Sequence, residues 1–237
     1  MIKQILKRMV GEKLLGIIDY YRYPRLKASW GGALNGQKHR QQMVETFIRQ
    51  LPLDAIVETG TYRGTTTSYL AKLTSLPIYT VEFSLRFQAY GRLALRRFKN
   101  IHRASGDSRP FLRTLAANEH LCGKTILFYL DAHWNADLPL AEELEIIFDH
   151  WKRAVVLIDD FQVSDDPGYG YDDYGSGRAL TIDYIRPAQN KFGLCAFFPS
   201  LASTKETGTK RGSITLAADA SLKDLLRNMT ELREYAR

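Results

Sequence analysis

Five short runs rich in β-branched and aromatic residues recur along the chain, and each ends on, or just ahead of, a polar cluster: AIVET (55–59), IYTVEF (78–83), NIHRAS (100–105), TILFYLD (125–131) and AVVLIDD (154–160). The segments between them, near 65–75, 84–98, 108–118 and 138–152, have helical spacing or helix-forming composition. Strands that alternate with helices must pair in parallel through right-handed crossovers, so both faces of the sheet are covered. A helix over 41–51 leads into this pattern. Beyond it the sequence predicts a helix at 178–189, a strand around 193–198, a loop with Gly208 and Gly212, a strand at 213–217 and a terminal helix from 220. The last two strands lack an intervening helix and should form an antiparallel hairpin at the sheet edge. The expectation is an α/β fold with a doubly wound, mostly parallel, seven-stranded sheet.

Open sheets of this kind bind ligands at the carboxyl ends of their strands. Polar residues collect there: Glu58 with Gly60 at the first strand, Glu82 at the second, Asp107 after the third, Asp131 at the fourth, Asp159 and Asp160 at the fifth. A buried strand that finishes in a carboxylate is costly unless the group is paired or ligand-bound, and five such ends point to a site. The first turn, E58-T-G-T-Y-R-G64 followed by Thr65, lets a ligand approach backbone N–H groups at a helix start. Its G-x-x-x-G spacing departs from the dinucleotide fingerprint, and Glu58 would repel a pyrophosphate but suits a cationic ligand; a purely structural turn is the other reading. Glu82 is placed to accept hydrogen bonds from ribose hydroxyls. Gly123-Lys124-Thr125 imitates a phosphate-binding loop, yet position 118 is Asn118 and a strand follows rather than precedes it, so it reads as a turn.

Asp131 lies 28 and 29 residues before Asp159 and Asp160, one crossover away, which predicts neighbouring strand ends. Three carboxylates in one spot raise one another's pKa unless a cation holds them. Oxygen ligands select Mg²⁺ first, then Mn²⁺ or Ca²⁺; the competing reading has Asp159 capping a turn and Asp160 solvated. His133, two residues past Asp131, has an imidazole suited to act as a base. The loop DDPGYGYDDYGSG (165–177) offers glycine hinges together with Tyr169, Tyr171 and Tyr174 as stacking faces and hydroxyls, as a substrate lid or as a plain surface loop.

The series ETGTYRG, IYTVEF, GDS (106–108), FYLDAHW (128–134) and VVLIDD (156–160) resembles class I S-adenosylmethionine-dependent methyltransferases. Within them it is most similar to the metal-dependent branch of catechol O-methyltransferase and the macrocin-type sugar O-methyltransferases. The resemblance covers roughly residues 41–218. It implies that Glu58, Gly60, Thr61, Tyr62, Gly64 and Thr65 belong to the cofactor turn, that Glu82 holds the ribose, and that Asp107 and Ser108 face the adenine. It also implies that Asp131, Asp159 and Asp160 hold Mg²⁺; Asp131 and, from its place on the loop after the fourth strand, His133 are the catalytic candidates. His133 departs from the relatives, whose base is a lysine or a second carboxylate. The activity implied is Mg²⁺-assisted O-methylation of a small-molecule hydroxyl, most plausibly on a sugar or glycosylated metabolite. A phenol or catechol acceptor is the alternative, and a non-catalytic protein binding an adenosine ligand is the rival outside enzymology.

With 237 residues, 45% apolar and 25% charged, the chain suits one sizeable core. The sequence divides into a basic arm (1–40) and a methyltransferase-like domain (41–237). Residues 1–40 hold nine Lys/Arg against Glu12 and Asp19, a balance of +7, while the remaining residues carry 24 of each sign; the whole excess is in the arm. Basic residues are not spread over the folded region, so no nucleic-acid partner is expected. Charged residues interrupt the N-terminus before any signal-like apolar run, and two cysteines, Cys122 and Cys195, suit a reducing compartment; the cytoplasm is expected. In the arm, Ile2, Ile5, Leu6, Met9, Val10, Leu14, Ile17 and Ile18 form a drifting apolar stripe. Packing on the core or pairing with a second copy is expected of it, with attachment to an anionic membrane as the alternative.

Overall fold

The computed structural model describes residues 2–133 and 137–235 of the chain, with side chains from Met9 onward. Ile2, Ile5 and Leu6 of the arm's stripe, and Trp134 of FYLDAHW, therefore lie outside the described side chains. The repeating part begins at α2 (Lys38–Gln50) and runs β1 (Ala55–Thr59), α3 (Thr65–Leu73), β2 (Ile78–Glu82), α4 (Leu85–Ala94), β3 (Ile101–Ser105), α5 (Ser108–Ala116), β4 (Ile126–Leu130), α6 (Leu140–His150) and β5 (Ala154–Asp159). It is preceded by α1 (Ile2–Arg22) and closed by α7 (Ile182–Phe192), β6 (Cys195–Pro199), β7 (Ser213–Ala217), α8 (Ala220–Arg227) and β8 (Leu232–Glu234).

The sheet order is β3-β2-β1-β4-β5-β7-β6-β8, with the first five strands parallel and β7 antiparallel between β5 and β6. Alternate residues serve two cores, as the pleat requires. Val57, Phe128, Val156 and Ile214 face α5, α6 and α7, whereas Ile56, Leu127, Leu157 and Phe197 face α2, α3 and α8.

Two expectations are corrected here. The sheet has eight strands rather than seven, because β8 pairs antiparallel with β6 and forms the edge where the hairpin was expected. Its three residues, Leu-Arg-Glu, carry no apolar run, and a short charged strand suits an exposed edge. The helix expected from 178 starts at Ile182, where the Thr181 side chain accepts from the Tyr184 N–H at 3.4 Å and caps it.

Register aligns the strand ends in one row. Thr59 pairs with Val81 on one side and with Leu130 on the other, and Leu130 pairs with Ile158. Gly60, Glu82, Asp131 and Asp159 are consequently neighbours.

The arm is part of this body. Helix α1 packs on α4 so closely that a Cβ at Gly16 would lie 2.0 Å from the Arg86 carbonyl oxygen. Asp19 meets Arg86 at 2.6 Å, and the Tyr20 and Tyr90 rings pack edge to face at 5.4 Å. Two 3₁₀ turns, Pro24–Gly31 and Ala33–Gly36, then carry the chain across the carboxyl ends of the sheet, where the Leu34 N–H donates to the Thr66 hydroxyl at 3.2 Å.

Candidate active site

A cavity of about 760 Å³ opens over the row of strand ends, within the size range of small-molecule sites. Gly60, Tyr62, Glu82, Asp107 and Ser108 line one half; Asp131, His133, Asp160 and Tyr174 line the other.

In the first half, Gly60 sits at φ +93°, and a Cβ there would lie 2.2 Å from the Asp131 carbonyl oxygen, so only glycine lets β1 and β4 approach this closely. Glu82 accepts the Tyr62 N–H at 2.6 Å and the Ser84 N–H at 2.7 Å, which fixes its carboxylate at the wall. Burial raises its pKa, and those N–H donors offset part of the rise. Asp107 caps α5 through the Arg109 N–H at 2.8 Å and pairs with the Arg109 guanidinium at 2.5 Å, which lowers its pKa.

Other residues of the first turn are not on the wall. Glu58 is buried beneath it and accepts from the Thr67 and Thr80 hydroxyls at 2.5 and 2.6 Å; burial pushes its carboxyl up to about 7. Thr61 shares a hydroxyl contact with Thr80 at 2.5 Å. Gly64, at φ +73°, packs against Leu95, and Thr65 donates to the Lys27 carbonyl of the arm at 3.3 Å. These four build the turn rather than its surface.

The proposed metal triad does not fit a divalent ion. Asp159 lies behind the cavity, 1% exposed, with both oxygens engaged. One oxygen accepts from the Arg40 guanidinium and from the Asp160 N–H at 2.8 Å; the other accepts from the Tyr129 hydroxyl and from the Asn35 amide at 3.2 Å. Arg40 is itself 2% exposed, so this is an internal ion pair. Asp160, at φ +52°, pairs with Arg211 at 2.6 Å, and Arg211 pairs in turn with Asp172. Burial, with Asp159 adding like charge, pushes Asp160 up to about 7. Burial and then Asp159 and Asp160 raise the pKa of Asp131. Two arginines thus pair with two of the three carboxylates that sequence spacing assigns to Mg²⁺, Mn²⁺ or Ca²⁺. Among the described residues no three His, Cys, Asp or Glu side chains converge as a cation site.

His133 is 5% exposed and lines the cavity, and neither ring nitrogen has a well-formed hydrogen bond among the described residues. Burial pushes its pKa down to about 4, with Asp172 and Asp159 offsetting only part of that penalty. Its imidazole is neutral at ordinary pH. The Tyr174 hydroxyl lies 2.5 Å from an Asp172 carboxylate oxygen and 2.9 Å from the His133 carbonyl oxygen, bracing this loop from the far wall.

Of the three tyrosines expected in a lid, Tyr174 alone reaches the cavity. Tyr169 is buried and donates to the Leu201 carbonyl at 3.0 Å, and Tyr171 is half-buried off the cavity wall. The loop is pinned by bridges from Gly170 to Arg211 and from Asp173 to Ala179. The cavity also takes residues that sequence reasoning passed over: Trp30 and Asn35 from the arm, Phe83 and Phe87 beside Glu82, and Asp172, Thr209 and Arg211. Nothing in the arm's pattern marks Trp30 or Asn35, because the chain reaches the site through irregular turns.

No protein-family model matches the sequence, and no curated protein is detectably similar to it. Solved structures do match in fold. One is the O-methyltransferase TomG from Streptomyces achromogenes, involved in tomaymycin synthesis and solved with S-adenosylmethionine. It superposes with a TM-score of 0.54 at 16% identity, covering 76% of this chain and 80% of that one. This chain has the class I methyltransferase fold. An O-methyltransferase from Bacillus cereus, solved with S-adenosylhomocysteine, superposes equally well, with a TM-score of 0.55 at 15% identity over 77% of this chain and 81% of that one.

Proposed function

We propose that the protein transfers a methyl group from S-adenosylmethionine to a hydroxyl of a small, polar acceptor, most plausibly a sugar or glycosylated metabolite. The observation that carries this reading is one cavity that joins Glu82 and the Gly60 turn to a buried, neutral His133. The cofactor half fits its ligand: Glu82 would hold the ribose hydroxyls, Asp107 and Ser108 would face the adenine, and Gly60 with Tyr62 would take the amino-acid end. When bound, S-adenosylmethionine supplies an electrophilic methyl carried on a sulfonium. His133 would receive the acceptor's hydroxyl proton as its oxygen becomes nucleophilic; burial leaves it neutral but a weak base, so the bound ligands must stabilise the imidazolium that forms. Asp131 lines the cavity beside His133 and would hydrogen-bond the acceptor's hydroxyl. Asp160, Asp172, Arg211 and Asn35 give the outer half several hydroxyl-binding partners, as a polyhydroxylated acceptor would need, and Trp30 adds a flat apolar face. The divalent ion is not part of this reading, since Asp159 is bound to Arg40.

The test is methyl transfer from labelled S-adenosylmethionine to a panel of sugars, glycosides and catechols, alongside calorimetry with S-adenosylhomocysteine. Turnover on a hydroxylated acceptor that survives EDTA is expected. Cofactor binding with no turnover on any acceptor would favour the non-catalytic rival, and turnover abolished by EDTA and restored by Mg²⁺ would return Asp131 and Asp160 to the role of ligands.

A further inference from the structure

We infer that α1 is a docking surface for an anionic lipid bilayer, on which the protein lies with the rim of its cavity toward the membrane. Three observations converge. Packing on α4 uses Gly16, Asp19 and Tyr20, while Val10, Leu14, Ile17 and Tyr21, which recur at helical spacing on another side of α1, stay 62, 53, 40 and 62% exposed. A helix that has already buried one side on its own core leaves this stripe for something else.

Charge selects the occupant. The +7 excess of the sequence resides in residues 1–40; one of its cations, Arg40, is buried against Asp159, but Lys13, Arg22, Arg25 and Lys27 are all exposed. The arm's two acidic residues do little to reduce this, because Asp19 is spent on Arg86 of α4. A second copy seated on the same stripe would bring two such arms together and oppose like charges. An anionic bilayer instead attracts Lys and Arg while their stems lie along its apolar boundary. The flanking aromatics fit the same surface: Tyr21, Tyr23 and Trp30 are exposed, and tyrosine and tryptophan favour the headgroup level. No helix among the described residues is long and apolar enough to cross a membrane, so α1 lies on the surface. Trp30 belongs both to this exposed run and to the cavity wall, and it ties docking to the position of the cavity mouth.

The experiment is flotation of the full-length protein with phosphatidylcholine vesicles and with vesicles of phosphatidylcholine mixed with phosphatidylserine, at low and high salt. Binding to the mixed vesicles, at least tenfold weaker on the neutral ones and weakened by salt, is expected. Val10→Glu with Ile17→Glu should abolish it while leaving S-adenosylhomocysteine affinity and the melting curve of the protein in solution unchanged. Because both residues are exposed and neither lines the cavity, that pair separates docking from the catalytic reading. Absence of vesicle binding, or equal binding to neutral vesicles, overturns the inference. So does a concentration-dependent dimer in sedimentation that the same substitutions dissolve, which would give the stripe to a second copy.

Discussion

Asp159 shows how one buried partner redirects a functional reading. Its carboxylate is bound by Arg40, Tyr129, Asn35 and the Asp160 N–H, with no face left open to the cavity. Removing one member of a buried ion pair strands the other charge, so Arg40→Leu should cost about 3–5 kcal/mol in urea denaturation. Adding Asp159→Asn to that variant should recover part of the loss, and Mg²⁺ should recover none. A metal-dependent rescue of the single variant would contradict the pairing. Glu82 is the complementary case, a carboxylate held at the wall by backbone donors with lone pairs left for a ligand. Glu82→Ala should weaken S-adenosylhomocysteine binding by roughly 1.5–3 kcal/mol; calorimetry on the folded variant decides, and unchanged affinity removes Glu82 from the site. Strand-end carboxylates were legible because a buried run ending in Asp or Glu stands out in any sequence. Which of them faces the cavity was not, since that depends on Arg40 and Arg211, one from the arm's last residue and one from the loop before β7.

At the scale of elements, the five parallel strands are found where β-branched runs place them, within a residue of the expected bounds. The runs suffice for β1, β4 and β5 because these strands are buried on both faces, and apolar composition alone marks such a strand; β3, at the sheet edge, is largely exposed and is marked by its place in the alternation instead. Elements that owe their form to neighbours were harder to see: β8 exists because the chain after α8 turns back onto β6, with the Tyr235 N–H donating to the Ala196 carbonyl at 2.8 Å. Helix α1 was legible as an amphipathic segment, but its apolar residues were expected to mark the packed side. The side that meets α4 is instead marked by a glycine. Gly16 permits the close approach, so Gly16→Ala must push α1 and α4 apart or displace the Arg86 carbonyl. Overpacking of this kind costs about 1–3 kcal/mol. A lowered melting temperature in the variant is the expected result, and an unchanged one would mean that α1 docks elsewhere.

Across the whole molecule, the site is a set of buried titratable groups whose pH dependences oppose one another. His133 has a folded pKa of about 4, below its ordinary value near 6.5. As pH falls through that window the unfolded chain takes up a proton that the folded chain refuses, so this group removes stability on acidification, by about 3 kcal/mol in full. Glu58 and Asp160, both raised to about 7, act with the opposite sign. The folded chain keeps their protons between about 4 and 7 where the unfolded chain releases them, and stability falls as pH rises through that range. Glu143, raised to about 7 by burial, adds to the carboxylates' side, so they outweigh the imidazole in the native protein and single substitutions are needed to separate the contributions. Relative to the native protein, His133→Gln should gain stability steadily as pH drops from about 7 toward 4, and Glu58→Gln should gain it as pH rises over the same interval. Urea denaturation of the three proteins across that range measures both slopes. A His133→Gln difference that stays constant with pH would show that the imidazole titrates normally, and with it would go the case for a buried neutral base facing the acceptor.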